Sequence, residues 1–140
     1  MNAKFLLDTN IIIYSFDDTA PEKQAIALEL IERAVKTEDG CISAQVIQET
    51  LFALTSKFKH LITASDLLNY LETVLESLYH PLPAMPLYRD VLSIRERWKF
   101  GFYDALIIAA ALALECDRLY TEDFQHGQRI EGLSIVNPFL

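Results

Sequence analysis

Apolar residues along this chain fall into two alternating patterns: short contiguous runs, and longer stretches with helical spacing. Phe5-Leu6-Leu7, preceded by Lys4 and closed by the turn-forming Asp8-Thr9-Asn10, predicts a buried strand over Lys4 to Leu7 whose carboxyl end delivers Asp8. Ile11 to Phe16 follows as a short apolar turn or helix. Pro21 suits a helix's first turn, and Ala25, Ile26, Leu28, Leu30, Ile31, Ala34 and Val35 keep helical spacing until Thr37 to Gly40 breaks it. Cys41-Ile42-Ser43 predicts a second strand. Ser43 is placed to cap the following helix, which carries Val46, Ile47, Leu51 and Leu54 and sets Glu49 at the border of its apolar face. Thr63 with Asp66 three residues later has the form of a capping box ahead of Leu67, Leu68, Leu71, Val74, Leu75 and Leu78. Pro81, Pro83 and Pro86 then punctuate the chain, and a helix is expected from about Leu87 to Trp98. After Lys99-Phe100-Gly101, the segment Ala105 to Leu114 is apolar all round, which predicts the central buried helix. Arg118-Leu119-Tyr120 reads as a strand delivering Thr121 and Asp123, and Leu133 to Val136 as another.

Helices alternating with short apolar strands imply an α/β fold, a short central parallel sheet flanked by helices, with sites beyond the strands' carboxyl ends. The 140 residues suit a single domain spanning 1–140, and no Pro/Gly/Ser-rich stretch divides them. Apolar content of 51% and charged content of 23% are those of a folded globular protein. A mean hydropathy of +0.18 is high for a soluble domain and hints that a partner or second copy covers some apolar surface. The longest apolar run, Ala105 to Leu114, is ten residues, against the roughly 20 needed to span a bilayer. Asp8 and Asn10 interrupt the first apolar run before a signal-peptide core forms. Cys41 and Cys116 lack paired spacing, which favours buried thiols in a reducing compartment. A soluble, cytoplasmic protein with no membrane partner is the expectation.

The net charge of −8 argues against a broad basic face for nucleic acid. Lys57 and Lys59, and Arg89, Arg95, Arg97 and Lys99, form two local basic runs that read first as solvated helix ends. The acidic residues are more informative. Asp8, Glu49, Asp104 and Asp123 each stand where an element begins, ends or borders its apolar face. Singly, each has an ordinary role. Asp8 can cap a helix, Glu49 can reach solvent, Asp104 suits a helix's first turn, and Asp123 or its neighbour Glu122 can belong to a turn. Four carboxylates able to converge suggest a shared cation. Hard oxygen ligands without a His or Cys cluster favour Mg²⁺ or Mn²⁺, which usually act on phosphates. His60, His80 and His126 have no metal-ligand spacing; His60 and His80 read as surface or loop residues, with His126 beside the proposed site. Trp98 and Phe102 read as core rather than base-stacking residues.

In order and separation, Leu7-Asp8-Thr9-Asn10, Glu49, Tyr103-Asp104-Ala105-Leu106-Ile107, and Leu119-Tyr120-Thr121-Glu122-Asp123 followed by His126-Gly127 resemble the PIN-domain ribonucleases, particularly VapC-like toxins of bacterial and archaeal toxin–antitoxin pairs. The resemblance covers essentially the whole chain. It implies a PIN-like three-layer α/β/α domain and a Mg²⁺- or Mn²⁺-dependent endoribonuclease. Asp8, Glu49, Asp104 and Asp123 would be the catalytic, metal-holding quartet, with Asp123 chosen over Glu122 on the Thr-x-Asp pattern. Thr121 would act through its hydroxyl, and Asn10 or Thr9 would orient Asp8. The implied partners are single-stranded RNA, a cognate antitoxin covering the acidic notch, and a second copy in a homodimer.

Other readings compete. An aspartyl-phosphate phosphatase would normally place a second Asp two residues after the first, where this chain has Asn10. A PIN-type nuclease of RNA maturation, or a non-catalytic RNA- or protein-binding module of the same fold, would share these motifs.

Overall fold

A computed structural model describes residues 4–140. The chain runs β1 (Phe5–Leu7), α1 (Thr9–Tyr14), α2 (Pro21–Thr37), β2 (Gly40–Cys41) and α3 (Ala44–Leu54), then a 3₁₀ turn at Lys59–Leu61. Next, α4 (Ala64–Tyr70) passes through a π-helical stretch, Leu71–Leu75, into α5 (Glu76–Leu78). The remainder is α6 (Ala84–Trp98), α7 (Phe102–Ala113), β3 (Arg118–Tyr120), β4 (Arg129–Ile130) and β5 (Leu133–Val136).

The five strands form one sheet in the order β2-β1-β3-β5-β4. β1 lies between two parallel neighbours, with Leu6 opposite Cys41 on one side and Leu119 on the other. A strand covered on both faces needs apolar residues at every position, and Phe5, Leu6 and Leu7 are all buried. Helices on both faces complete an α/β/α arrangement. α2 packs on β2, α1 and α5, while α7 lies against β3 with α6 outside it. The apolar face of α7 buries Ala105 and Ile107 through Ala111, as its all-round hydrophobicity predicts.

The sheet is mixed rather than wholly parallel, because β4 pairs antiparallel with β5. Only Glu131 and Gly132 separate the paired Ile130 and Leu133, and both have positive φ, 50° and 91°. That is the backbone of a tight two-residue hairpin turn, and the Glu-Gly pair was its only sequence signal. The second strand stops at Cys41, with Ile42 making an isolated bridge to Tyr79. α6 starts at Ala84 because Pro86 falls in its first turn, where a missing N–H costs nothing. Thr63 does cap α4, accepting from the Asp66 N–H at 3.2 Å. Ser43 stands at the N-cap position of α3, but its side chain makes no capping bond. Among the described residues, no helix is long and apolar enough to cross a membrane.

Candidate metal and active site

Parallel pairing of β1 with β3 sets the residues after Leu7 and Tyr120 side by side, and the Asp8 N–H continues the ladder to the Tyr120 carbonyl at 3.0 Å. Asp8 is the N-cap of α1, and its Oδ1 accepts the Thr9 N–H at 2.7 Å. Its other oxygen, Oδ2, accepts the hydroxyl of buried Thr121 at 2.8 Å. That same hydroxyl oxygen accepts the Asp123 N–H at 3.0 Å and the Asn10 amide at 3.3 Å. Asn10 also donates to Asp123 Oδ2 at 3.1 Å. A single threonine therefore fastens Asp8 to the backbone that carries Asp123.

Glu49 joins from α3. The Thr9 hydroxyl donates to its Oε1 at 2.7 Å, and Gln45, one turn earlier, donates to its Oε2 at 3.4 Å and to the Tyr103 carbonyl at 3.1 Å. Gln45 thus ties α3 to the start of α7, which carries Asp104 in its first turn. Asp104 is exposed, yet its carboxyl is raised above the ordinary range by partial burial and by the charges of Asp123 and Glu49. Asp8 lies deeper, only 6% exposed. Burial pushes its pKa up to about 6 against the lowering effect of the Thr121 and Thr9 hydrogen bonds, and the charges of Asp123 and Glu49 raise it further.

Hydrogen bonds thus gather Asp8, Glu49 and Asp123, while Asp104, on the helix that Gln45 ties in, lies close enough for the charges of Asp123 and Glu49 to raise its carboxyl. Among the described residues, no three His, Cys, Asp or Glu side chains stand in a ready-made ligand cluster. The donor set nonetheless fits a hydrated divalent cation. It consists of hard oxygens, and the Asn10 Oδ1 beside it is buried without a partner. Burial is the larger cause of the raised carboxyls of Asp8 and Asp104, and both are raised further by the charges of Asp123 and Glu49, which places the four acids within electrostatic reach of one centre.

Glu122 points elsewhere. Its Oε1 accepts from the Tyr14 hydroxyl at 2.7 Å and its Oε2 pairs with Lys23 at 3.3 Å, leaving Asp123 as the acid facing the notch. Asn10 reaches Asp8 only through Thr121, so Thr9 is the residue that touches Asp8 directly. His126 accepts the Asn137 N–H on Nδ1 at 3.0 Å and fastens a loop. Trp98 packs against the core, but Phe102 is 42% exposed, contrary to its core reading, because it opens α7 at the surface. Sequence reasoning missed Tyr14, Lys23 and Gln45: the bonds of Tyr14 and Lys23 to Glu122 span 108 and 99 residues, and Gln45 reaches α7 through the Tyr103 carbonyl, although its i,i+4 spacing to Glu49 was a local signal that could have found it.

A family model described as PIN domain matches residues 5–129, a span that contains all four acids. The chain belongs to the PIN domain family. No curated protein matches this PIN domain in sequence. Among solved structures it is similar to a toxin-antitoxin complex from Klebsiella pneumoniae, with TM-score 0.65, 20% identity, and coverage of 96% of this chain and 98% of that one. It is similar also to PAE2754 from Pyrobaculum aerophilum, with TM-score 0.63, 21% identity, and coverage of 97% and 92%. VapBC2 from Rickettsia felis, bound to a DNA fragment from its promoter, gives TM-score 0.61, 22% identity, and coverage of 94% and 96%. At these identities the likeness is one of fold.

Proposed function

We propose that this PIN domain is a divalent-metal-dependent endoribonuclease that serves as the toxin of a toxin–antitoxin pair. The observation that carries the reading is the Thr121 hydroxyl, which holds Asp8 and the Asp123 backbone together at the carboxyl ends of β1 and β3. A buried carboxylate with raised pKa, within reach of the charges of Asp123 and Glu49, is expensive to keep in a merely structural role. Membership of the PIN family supports nuclease chemistry, and the likeness to a toxin-antitoxin complex from Klebsiella pneumoniae and to VapBC2 from Rickettsia felis supports an antitoxin partner.

Asp8, Asp104, Asp123 and Glu49 would hold Mg²⁺ or Mn²⁺. Such an ion, when bound, supplies Lewis-acid stabilisation to a phosphodiester oxygen and acidifies water. The protein's own part is positioning. Thr121 fixes Asp8 Oδ2 and the Thr9 N–H fixes Oδ1, Asn10 restrains Asp123, and Thr9 and Gln45 each hold one oxygen of Glu49. The notch is shallow at its Asp104 and Asp123 rim, which suits an unpaired strand better than a duplex. An antitoxin segment laid over this rim would meet mainly negative charge, so an Arg is the expected contact.

The test is cleavage of a mixed single-stranded RNA pool by the purified protein with Mg²⁺ or Mn²⁺, beside EDTA and a folded Asp104→Asn variant. Cleavage lost in both controls is expected. A folded, metal-supplied wild type that leaves the pool intact would turn the reading toward a non-catalytic binding module.

A further inference from the structure

Strand register sets one row of positions across the sheet. Gly40, Phe5, Arg118, Ser134 and Arg129 are successive partners on β2, β1, β3, β5 and β4, so all lie on the same face, the one that α2 covers with Ala34 over Gly40. α2 covers only the start of the row: Gly40 and Phe5 are buried, Arg118 and Ser134 half-buried, and Arg129 exposed. The same helix adds Arg33, whose guanidinium lies 5.0 Å from the centre of the Phe5 ring. Arg33 Nη2 and Arg118 Nη1 both donate to the Tyr120 hydroxyl oxygen, at 2.9 and 2.7 Å, and Arg129 Nη1 donates to Ser134 Oγ at 2.9 Å. Two cations on one phenol oxygen repel each other. Among the described residues, Arg118 alone of the three arginines has a carboxylate within ion-pair reach, Asp117 at 3.4 Å. With both lone pairs of the phenol oxygen taken, its proton is left to donate, and nothing among the described residues accepts it. The row therefore presents positive charge and spare donors on a chain of net charge −8. Neither basic run of the sequence contains any of these arginines, because strand pairing rather than sequence proximity brings them together.

We propose that this arginine row holds the phosphate backbone of single-stranded RNA beside the acidic notch; the inference rests on the nuclease reading above. A notch of carboxylates repels a polyanion, so a substrate strand needs positive charge close by to stay. β3 itself joins the two. Tyr120 immediately precedes Thr121, and Arg118 lies three residues before it, roughly 10 Å along the strand. Guanidinium forks match phosphate oxygens, and the Tyr120 hydroxyl adds a donor between two of them. An acidic peptide would meet the same charge, but the row's continuity with the notch favours the strand that is cut there. An antitoxin laid over the acidic rim presents the opposite charge.

Binding is read apart from cleavage. The anisotropy of a fluorescein-labelled single-stranded RNA is followed in EDTA, over a range of salt, for wild type, Arg33→Gln, Arg118→Gln and Arg129→Gln. Arg89→Gln and Arg95→Gln make the same charge change on α6, outside the row. Cleavage of the same RNA is measured in parallel with Mg²⁺. Each row variant is expected to weaken binding about fivefold or more and to lower the salt slope by roughly 0.7, the share of one phosphate contact to a single strand, while the α6 variants stay within about twofold of wild type. Cleavage by the row variants should show a raised KM with kcat unchanged. Arg129 is exposed and donates to Ser134 alone among the described residues, so its variant keeps the test open if loss of Arg33 or Arg118 from Tyr120 unfolds the protein. A wild type that binds no RNA at low salt, or equal losses in the row and α6 variants, overturns the proposal. So does poly-glutamate bound as tightly as RNA and lost in the same variants, which would assign the row to an acidic peptide. RNA held through the row by a protein that cuts none would keep the row and remove the nuclease reading.

Discussion

Thr121 uses the full hydrogen-bonding capacity of its hydroxyl, donating once, to Asp8, and accepting twice, from Asn10 and the Asp123 N–H. Thr121→Val keeps the shape and strands all three partners, so a loss of about 1–3 kcal/mol in urea unfolding is expected. A loss near zero would mean that the network does not hold the notch together. Asp8 sets the pH response. Its folded pKa, about 6, lies above the unfolded carboxylate value of 3.8, so the folded state binds its proton more tightly. Its contribution is therefore fully present below pH 4 and is lost as pH rises through 6, by about 3 kcal/mol. A cation among the carboxylates opposes that loss. Mg²⁺ should consequently raise Tm more at pH 7.5 than at pH 5, and equal shifts at the two pH values would count against metal binding there. The two neighbouring acids should also part company. Asp123→Asn should weaken Mg²⁺ binding at least tenfold, as read by calorimetry, while Glu122→Gln changes it less than about twofold. The four acids were readable as candidates because Asp8, Asp104 and Asp123 stood at element boundaries and Glu49 bordered the apolar face of α3. The sequence did not carry the engagement of Glu122 by Tyr14 and Lys23, which depends on contacts 108 and 99 residues apart.

The elements that position the site were legible where hydrophobic pattern alone decides them. β1, α2, α3, α7 and β3 follow from runs and spacings, and Pro21 marks the α2 start it occupies. The misses occur where two or three residues settle the matter. β4 has only Arg129 and Ile130, too short for any periodicity, and exists because β5 offers it an edge. The π-helical stretch after Tyr70 leaves the apolar pattern nearly unchanged and so leaves little trace in it. Gly40 is a position where the sequence shows a turn residue and the structure shows a packing demand. A Cβ there would stand 2.2 Å from the Ala34 Cβ and 2.8 Å from the Phe5 ring. Gly40→Ala should therefore push α2 off β2 and cost about 1–3 kcal/mol in chemical denaturation. A neutral substitution would show that α2 shifts freely at this end.

For the whole molecule, net charge and exposed apolar surface pull in opposite directions. A charge of −8 keeps copies apart, while Met85, Tyr88 and Leu92 line up on α6 at helical spacing and are 62%, 45% and 59% exposed. Single exposed apolar residues are ordinary, but a stripe is less so. Gel filtration at micromolar concentration should show a dimer whose stability grows with salt, and a monomer at all salt concentrations would overturn the homodimer that the family resemblance implies. The strand order has a different kind of consequence. β1 sits between β2 and β3, so Asp8 is made early and must wait for Thr121, 113 positions later, before its hydrogen bond can form. At about 5–20 residues per second that wait is roughly 6 to 23 seconds of translation. Throughout it the nascent chain has an unpaired flank of β1 and no notch, so the four acids come together only after β3 has emerged; on the nuclease reading proposed above, the message being translated would meet no assembled site before then.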